Sequence, residues 1–167
     1  MTMDALLYGT IWLSVVAWAG AEVLKRVSPE RPDAARILWT GGALLLAIHV
    51  AIAFHSRHAW SHDAAYAATA AQSEAFTGLA AGWGLYLNYA LALLWLVDAA
   101  WWWAEAAAYA RRSRTVDRAI FAFFVFMMVN GAVVFATSRM RWLGVVCVAA
   151  VVLARFQPGR LLAAGRN

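Results

Sequence analysis

Apolar residues fall in five long runs along this chain, and the short segments between them hold almost all of its charge. The runs cover residues 5–24, 37–55, 79–103, 119–137 and 142–155. The first four are close to the roughly 20 residues that a helix needs to cross a hydrocarbon layer. The last covers only about 20 Å at the α-helical rise. It reaches both interfaces if the flanking Arg141 and Arg155 lay their stems along it. The pattern predicts an all-α fold: a single domain over residues 1–167, built as a polytopic transmembrane bundle of about five spans. The chain opens Met1-Thr2-Met3-Asp4 without a basic leader segment, so the first run reads as a retained helix. Pro29 and Pro32 break the chain between the first two runs.

The segment between the second and third runs is rich in alanine, which favours helix. Ser61 is placed to cap such a helix and Gly78 to end it. A surface helix over residues 61–77 is therefore expected, with His62, Tyr66, Thr69 and Phe76 near one face.

Charge orients the bundle. With the N-terminus outside, the inner segments carry Lys25, Arg26, Arg31, Arg36, Arg111, Arg112, Arg114, Arg118, Arg155, Arg160 and Arg166, eleven of the fourteen basic residues. The outer segments carry Arg57, Arg139 and Arg141. Basic residues concentrate on the cytoplasmic side of membrane proteins, so the N-terminus is expected outside and the C-terminus inside. That parity requires an odd number of spans.

Composition agrees with a lipid-embedded chain. Apolar residues make up 64% and charged residues 14%, against about 45–50% and about 25% in soluble domains. The net charge of +5 sits in short loops, which points to topology and not to nucleic acid. The one cysteine, Cys147, lies in an apolar run, so neither an intramolecular disulfide nor a CxxC site exists. No phosphate loop or Ser/His/Asp pattern is present, and catalytic residues stay unassigned.

Of ten tryptophans, Trp101, Trp102 and Trp103 are consecutive and point three ways around a helix. They read as an interfacial belt near the inner headgroups, with ligand stacking as the alternative.

The candidate chemistry starts from histidine. His49, His55, His58 and His62 all lie within fourteen residues. On one continuous helix, His55, His58 and His62 share a face, and imidazole is a common ligand for transition metals. Asp63, Gln72 or Glu74 would complete such a shell. The simpler reading makes them interfacial residues bonded to headgroups and loop backbone. Within the spans, His49, Asn88 and Asn130 fall at comparable depth. They read either as a polar cluster gluing helices together or as a cofactor site, for a quinone headgroup or one haem ligand. No other span carries a histidine, which disfavours a bis-histidine haem within one chain. Asp98 shares a face with Trp95 and Trp102. It reads as an ion-pair partner of Lys25, Arg36 or Arg118, with a proton or cation path to His49 as the alternative. The Gly41-Gly42 and Gly82-Trp83-Gly84 segments read as close helix contacts.

The segment AFHSRHAWSH at residues 53–62, followed by WGLYLNY and WLVDAAWWW, resembles a set of small multi-pass bacterial membrane proteins. The resemblance covers roughly residues 48–103. It implies a bacterial inner-membrane location and carries no activity to any residue. Two functions are weighed. One is a small or accessory subunit of a larger membrane complex, with a membrane-protein partner or further copies of itself. The other is a metal- or redox-cofactor protein using His55, His58 and His62.

Overall fold

The computed structural model describes residues 2–136 and 139–156. The ends of two expectations, Thr137 of the fourth run and the inner Arg160 and Arg166, lie outside them. The described residues form seven α-helices: α1 (Met3–Val27), α2 (Pro32–Arg57), α3 (His62–Thr77), α4 (Gly84–Ala104), α5 (Ala106–Ala110), α6 (Arg114–Val129) and α7 (Arg141–Phe156). A π turn, Asn130–Val134, continues α6. Four helices are long and apolar enough to cross a membrane: α1, α2, α4, and α6 with its π turn. At sixteen residues, α7 is shorter than these.

Local signals set the ends. Thr2 caps α1 by accepting from the Ala5 amide at 3.3 Å, and Lys25 and Arg26 sit in its last turn. Pro32 opens α2, where its missing N–H costs nothing. Ser61 accepts from the Ala64 amide at 3.2 Å, and Gly78 ends α3 in the left-handed region at φ 74°. The surface helix thus forms nearly as expected. The third apolar run does not begin as a helix at residue 79. Residues 79–83 form a loop, Leu79 is exposed, and α4 starts only at Gly84.

The end of α2 departs from the expectation of one continuous helix through the histidines. Ala59 and Trp60 both take positive φ, 46° and 62°, a conformation that costs about 1–2 kcal/mol per non-glycine residue. The Trp60 amide donates back to the Phe54 carbonyl at 2.9 Å, closing the helix end.

In the assembled bundle α1 lies between α2 and α7, α4 packs on α2, and α6 with its π turn packs on α7 and touches α4. The core is aromatic. Trp39, Trp95 and Phe124, from α2, α4 and α6, form a triangle with ring centroids 4.9–5.3 Å apart. All three are at least 98% buried, and such ring pairs each add about 0.5–1.5 kcal/mol beyond burial. Gly42 makes this packing possible, because a Cβ there would sit 2.5 Å from Trp95. Gly82 does the same beneath Tyr66, at 2.3 Å. Gly41 faces open space, so it is not the close contact expected.

The consecutive tryptophans part company. Trp102 is buried and stacks on Tyr109 at 4.7 Å, so it is not a belt residue. Trp101 meets the same Tyr109 ring edge-on at 5.4 Å. Trp103 is exposed and donates from its indole to the Thr40 hydroxyl at 2.9 Å.

Candidate functional site

Charge is concentrated at one end of the bundle, where α1, α4 and α7 finish and α6 begins. On α1, Glu22 accepts from Lys25 at 2.7 Å. The Lys25 ammonium lies over the Trp39 ring at 3.7 Å and the Trp102 ring at 4.9 Å, a cation–π arrangement strengthened by exclusion of water. On α4, Asp98 is 3% exposed. Burying a carboxylate is costly unless it is paired and hydrogen-bonded, and Asp98 is both. It accepts from the Tyr109 hydroxyl at 2.8 Å and from the Arg112 guanidinium at 2.9 Å.

The backbone brings these partners round. After Ala104, Glu105 leaves the helical region at φ −139°, and the single turn α5 folds back so that Tyr109 faces Asp98. Ser113 then caps α6, accepting from the Val116 amide at 3.3 Å. Arg112, at the turn between them, reaches two carboxylates at once: Asp98, and Asp117 at 2.6 Å. Asp117 also accepts a short bond from Arg155 of α7 and lies 3.9 Å from Arg26 of α1. Two carboxylates, Asp98 and Asp117, and three cations, Arg26, Arg112 and Arg155, thereby link α1, α4, α6 and α7, with the Glu22–Lys25 pair of α1 at the same end.

The electrostatics follow from burial and pairing. Burial, seconded by the Asp98 charge, holds the Tyr109 hydroxyl well above the usual phenol range, so it stays a donor. Burial opposes the Arg112 charge, but Tyr109, Asp117 and Asp98 outweigh it and raise the guanidinium above its ordinary value. The cluster is a fastening of paired charges.

Asp98 was expected to pair with Lys25, Arg36 or Arg118. Ion pairing holds, but with Arg112; Lys25 goes to Glu22 and Arg36 to Asp33. The Asp98–Trp95–Trp102 face is buried as the spacing implies. Arg112, Asp117, Arg155 and Tyr109 had no signal as a group. Asp117 and Arg155 are 38 residues apart, and the Arg112–Asp117 spacing spans a helix start.

The His49, Asn88 and Asn130 cluster does not form. His49 donates from Nδ1 to the Leu7 carbonyl of α1 at 2.9 Å, since a carbonyl can only accept. Asn130 donates to Phe126 of its own helix at 2.8 Å. Asn88 is exposed, and its side chain makes no hydrogen bond among the described residues.

His55, His58 and His62 do not share a helix face. His55 lies in the last turn of α2, His58 caps that helix, and His62 starts α3 beyond the left-handed pair. The continuous helix expected through the three is broken between His58 and His62 by Ala59 and Trp60. His55 lies near the Trp60 ring at 6.4 Å and His58 meets Phe54 edge-on at 5.7 Å. His62 bonds the Tyr89 hydroxyl at 3.1 Å and touches that of Tyr86 at 3.5 Å. Among the described residues, no group of three or more His, Cys, Asp or Glu side chains is placed to hold a metal ion.

No protein-family model, no curated protein and no solved structure matches this chain.

Proposed function

We propose that this chain is a five-span protein of the bacterial inner membrane, N-terminus outside and C-terminus inside, serving as a small accessory subunit of a larger membrane complex. The distribution of basic residues supports the orientation, and the four long apolar helices support a membrane location. With α7 as the fifth span, the charged cluster lies at the inner face and α3 at the outer face.

One observation carries the subunit reading. Asn88, Leu91, Trp95, Asp98 and Trp102 form one stripe of α4, and the last four are buried. Asn88 continues the stripe yet is exposed, with no side-chain hydrogen bond among the described residues. An amide facing lipid gains from a hydrogen bond to a neighbouring helix. The buried charges, by contrast, are spent on each other, which suits a scaffold.

The test is extraction of the natively expressed, tagged protein in mild detergent, with the mass of the complex measured. The expected result is a stoichiometric partner whose recovery falls in Asn88→Leu. A monomer of wild-type protein at native expression would refute the subunit role.

A further inference from the structure

A small cleft opens at the charged end of the bundle, between α1, α2 and α6. Its polar lining is Trp18 and Glu22 from α1, Trp39 from α2, Arg112 from the turn before α6, and Asp117 from α6. Phe124 is among its apolar walls. The free volume is about 10 Å³, close to the ~10–15 Å³ that one water molecule requires. The indole Nε1 atoms of Trp18 and Trp39 are buried without a hydrogen-bond partner, although these residues are 0% and 2% exposed. Buried donors are rarely left unpaired, and each calls for a physical account.

We propose that this cleft is a binding site for water, the small ligand that both accepts and donates hydrogen bonds. The lining chemistry selects it. Indole nitrogens can only donate and ionised carboxylates can only accept. A metal cation would meet the Trp18 and Trp39 N–H groups and the Arg112 guanidinium. An anion would meet Glu22 and Asp117. An apolar ligand would leave both indoles unpaired. Water has two lone pairs for the two indoles and two protons for the two carboxylates. Glu22 already accepts from Lys25, and Asp117 from Arg112 and Arg155, but each carboxylate offers about four lone-pair sites. The bound water joins the Glu22–Lys25 pair of α1 to the Asp98–Arg112–Asp117–Arg155 network. The two become one continuous set of hydrogen bonds across the inner end of the bundle.

Trp95 supplies a control. Its indole N–H is also buried and unpaired, but it does not line the cleft. The experiment is nuclear magnetic resonance of the full chain in detergent micelles with ¹⁵N-labelled tryptophan, reading magnetisation transfer from water to each indole proton. Assignment uses Trp18→Phe and Trp39→Phe, or backbone-linked assignment of the wild type where a variant does not fold. Long-lived water cross-peaks are expected at Trp18 and Trp39 and none at Trp95. Trp18→Phe is expected to weaken the Trp39 cross-peak. The absence of water cross-peaks at Trp18 and Trp39, or an equal one at Trp95, would overturn the proposal. So would a shift of the Trp18 and Trp39 signals when chloride is exchanged for a larger anion at constant ionic strength, since that marks an anion site.

Discussion

Replacing Arg112 by Met would test whether the charged cluster holds the helices together. The side chains of Arg112 and Asp98 are 11% and 2% exposed. Removing one partner of a buried ion pair costs about 3–5 kcal/mol, because the other charge is left uncompensated. Here the lower end applies. Tyr109 still donates to Asp98, and Asp117 keeps Arg155. Arg112→Met is therefore expected to destabilise by about 3 kcal/mol. In Asp98→Leu/Arg112→Met both charges go, and apolar replacement of a buried pair is often neutral or better. The double variant loses the Arg112–Asp117 bond and strands the Tyr109 hydroxyl, which together cost about 1–3 kcal/mol, less than the single variant's stranded charge. The assay is reversible unfolding in mixed detergent micelles, with the two single variants and the double variant forming a cycle. An Arg112→Met protein within about 0.5 kcal/mol of wild type, the range of inconsequential surface changes, would refute the reasoning.

Gly42→Ala is expected to cost about 1–3 kcal/mol by forcing Trp95 aside. Gly41→Ala, one residue away in open space, should be neutral or gain up to about 1 kcal/mol; thermal denaturation of the pair separates a contact from a propensity effect. The Tyr109 phenol is held above its unfolded value near 10. It therefore contributes stability that is full below about pH 10 and lost as pH rises beyond it. Tyr109→Phe should flatten that alkaline decline in a melting-temperature profile. For orientation, Gln72→Cys on α3 should react with an impermeant maleimide in intact cells, and Glu30→Cys only after permeabilisation. The buried Cys147 should stay silent, and a reversed pattern would overturn the assignment of sides.

What was legible in the sequence was whatever depends on spacing along one helix. The apolar runs, the Ser61 and Gly78 boundaries and the buried Trp95–Asp98–Trp102 face all follow from local periodicity and capping. Gly42 and Gly82 were legible as contacts, but not their targets. The charged cluster was not legible, because it joins residues from four helices through an unpredicted single turn, α5. The histidines misled for a related reason. Ala59 and Trp60 carry no sequence mark of a left-handed bend, the conformation that glycine or asparagine would ordinarily signal. The tryptophan belt failed at Trp102 because Tyr109, folded back by the turn α5, and Lys25, remote along the chain, provide it with a buried seat.

The π turn at Asn130–Val134 makes chain length itself a constraint on this part of the molecule. There the Phe135 amide donates to the Asn130 carbonyl five residues back, at 2.9 Å, so the helix accommodates one residue more than an α-turn holds. That surplus residue sets the angle at which everything after it leaves the helix. Phe135 meets Phe76 of α3 edge-on at 5.1 Å, and a Cβ on Gly144 would lie 2.3 Å from the Ala132 carbonyl. Removing one residue here would restore the ordinary turn and swing the following side chains by about 100°. Phe135 would be carried off α3 and the Ala132 carbonyl off α7. The segment can thus exchange side chains more readily than it can gain or lose a residue, the reverse of what holds in an exposed loop.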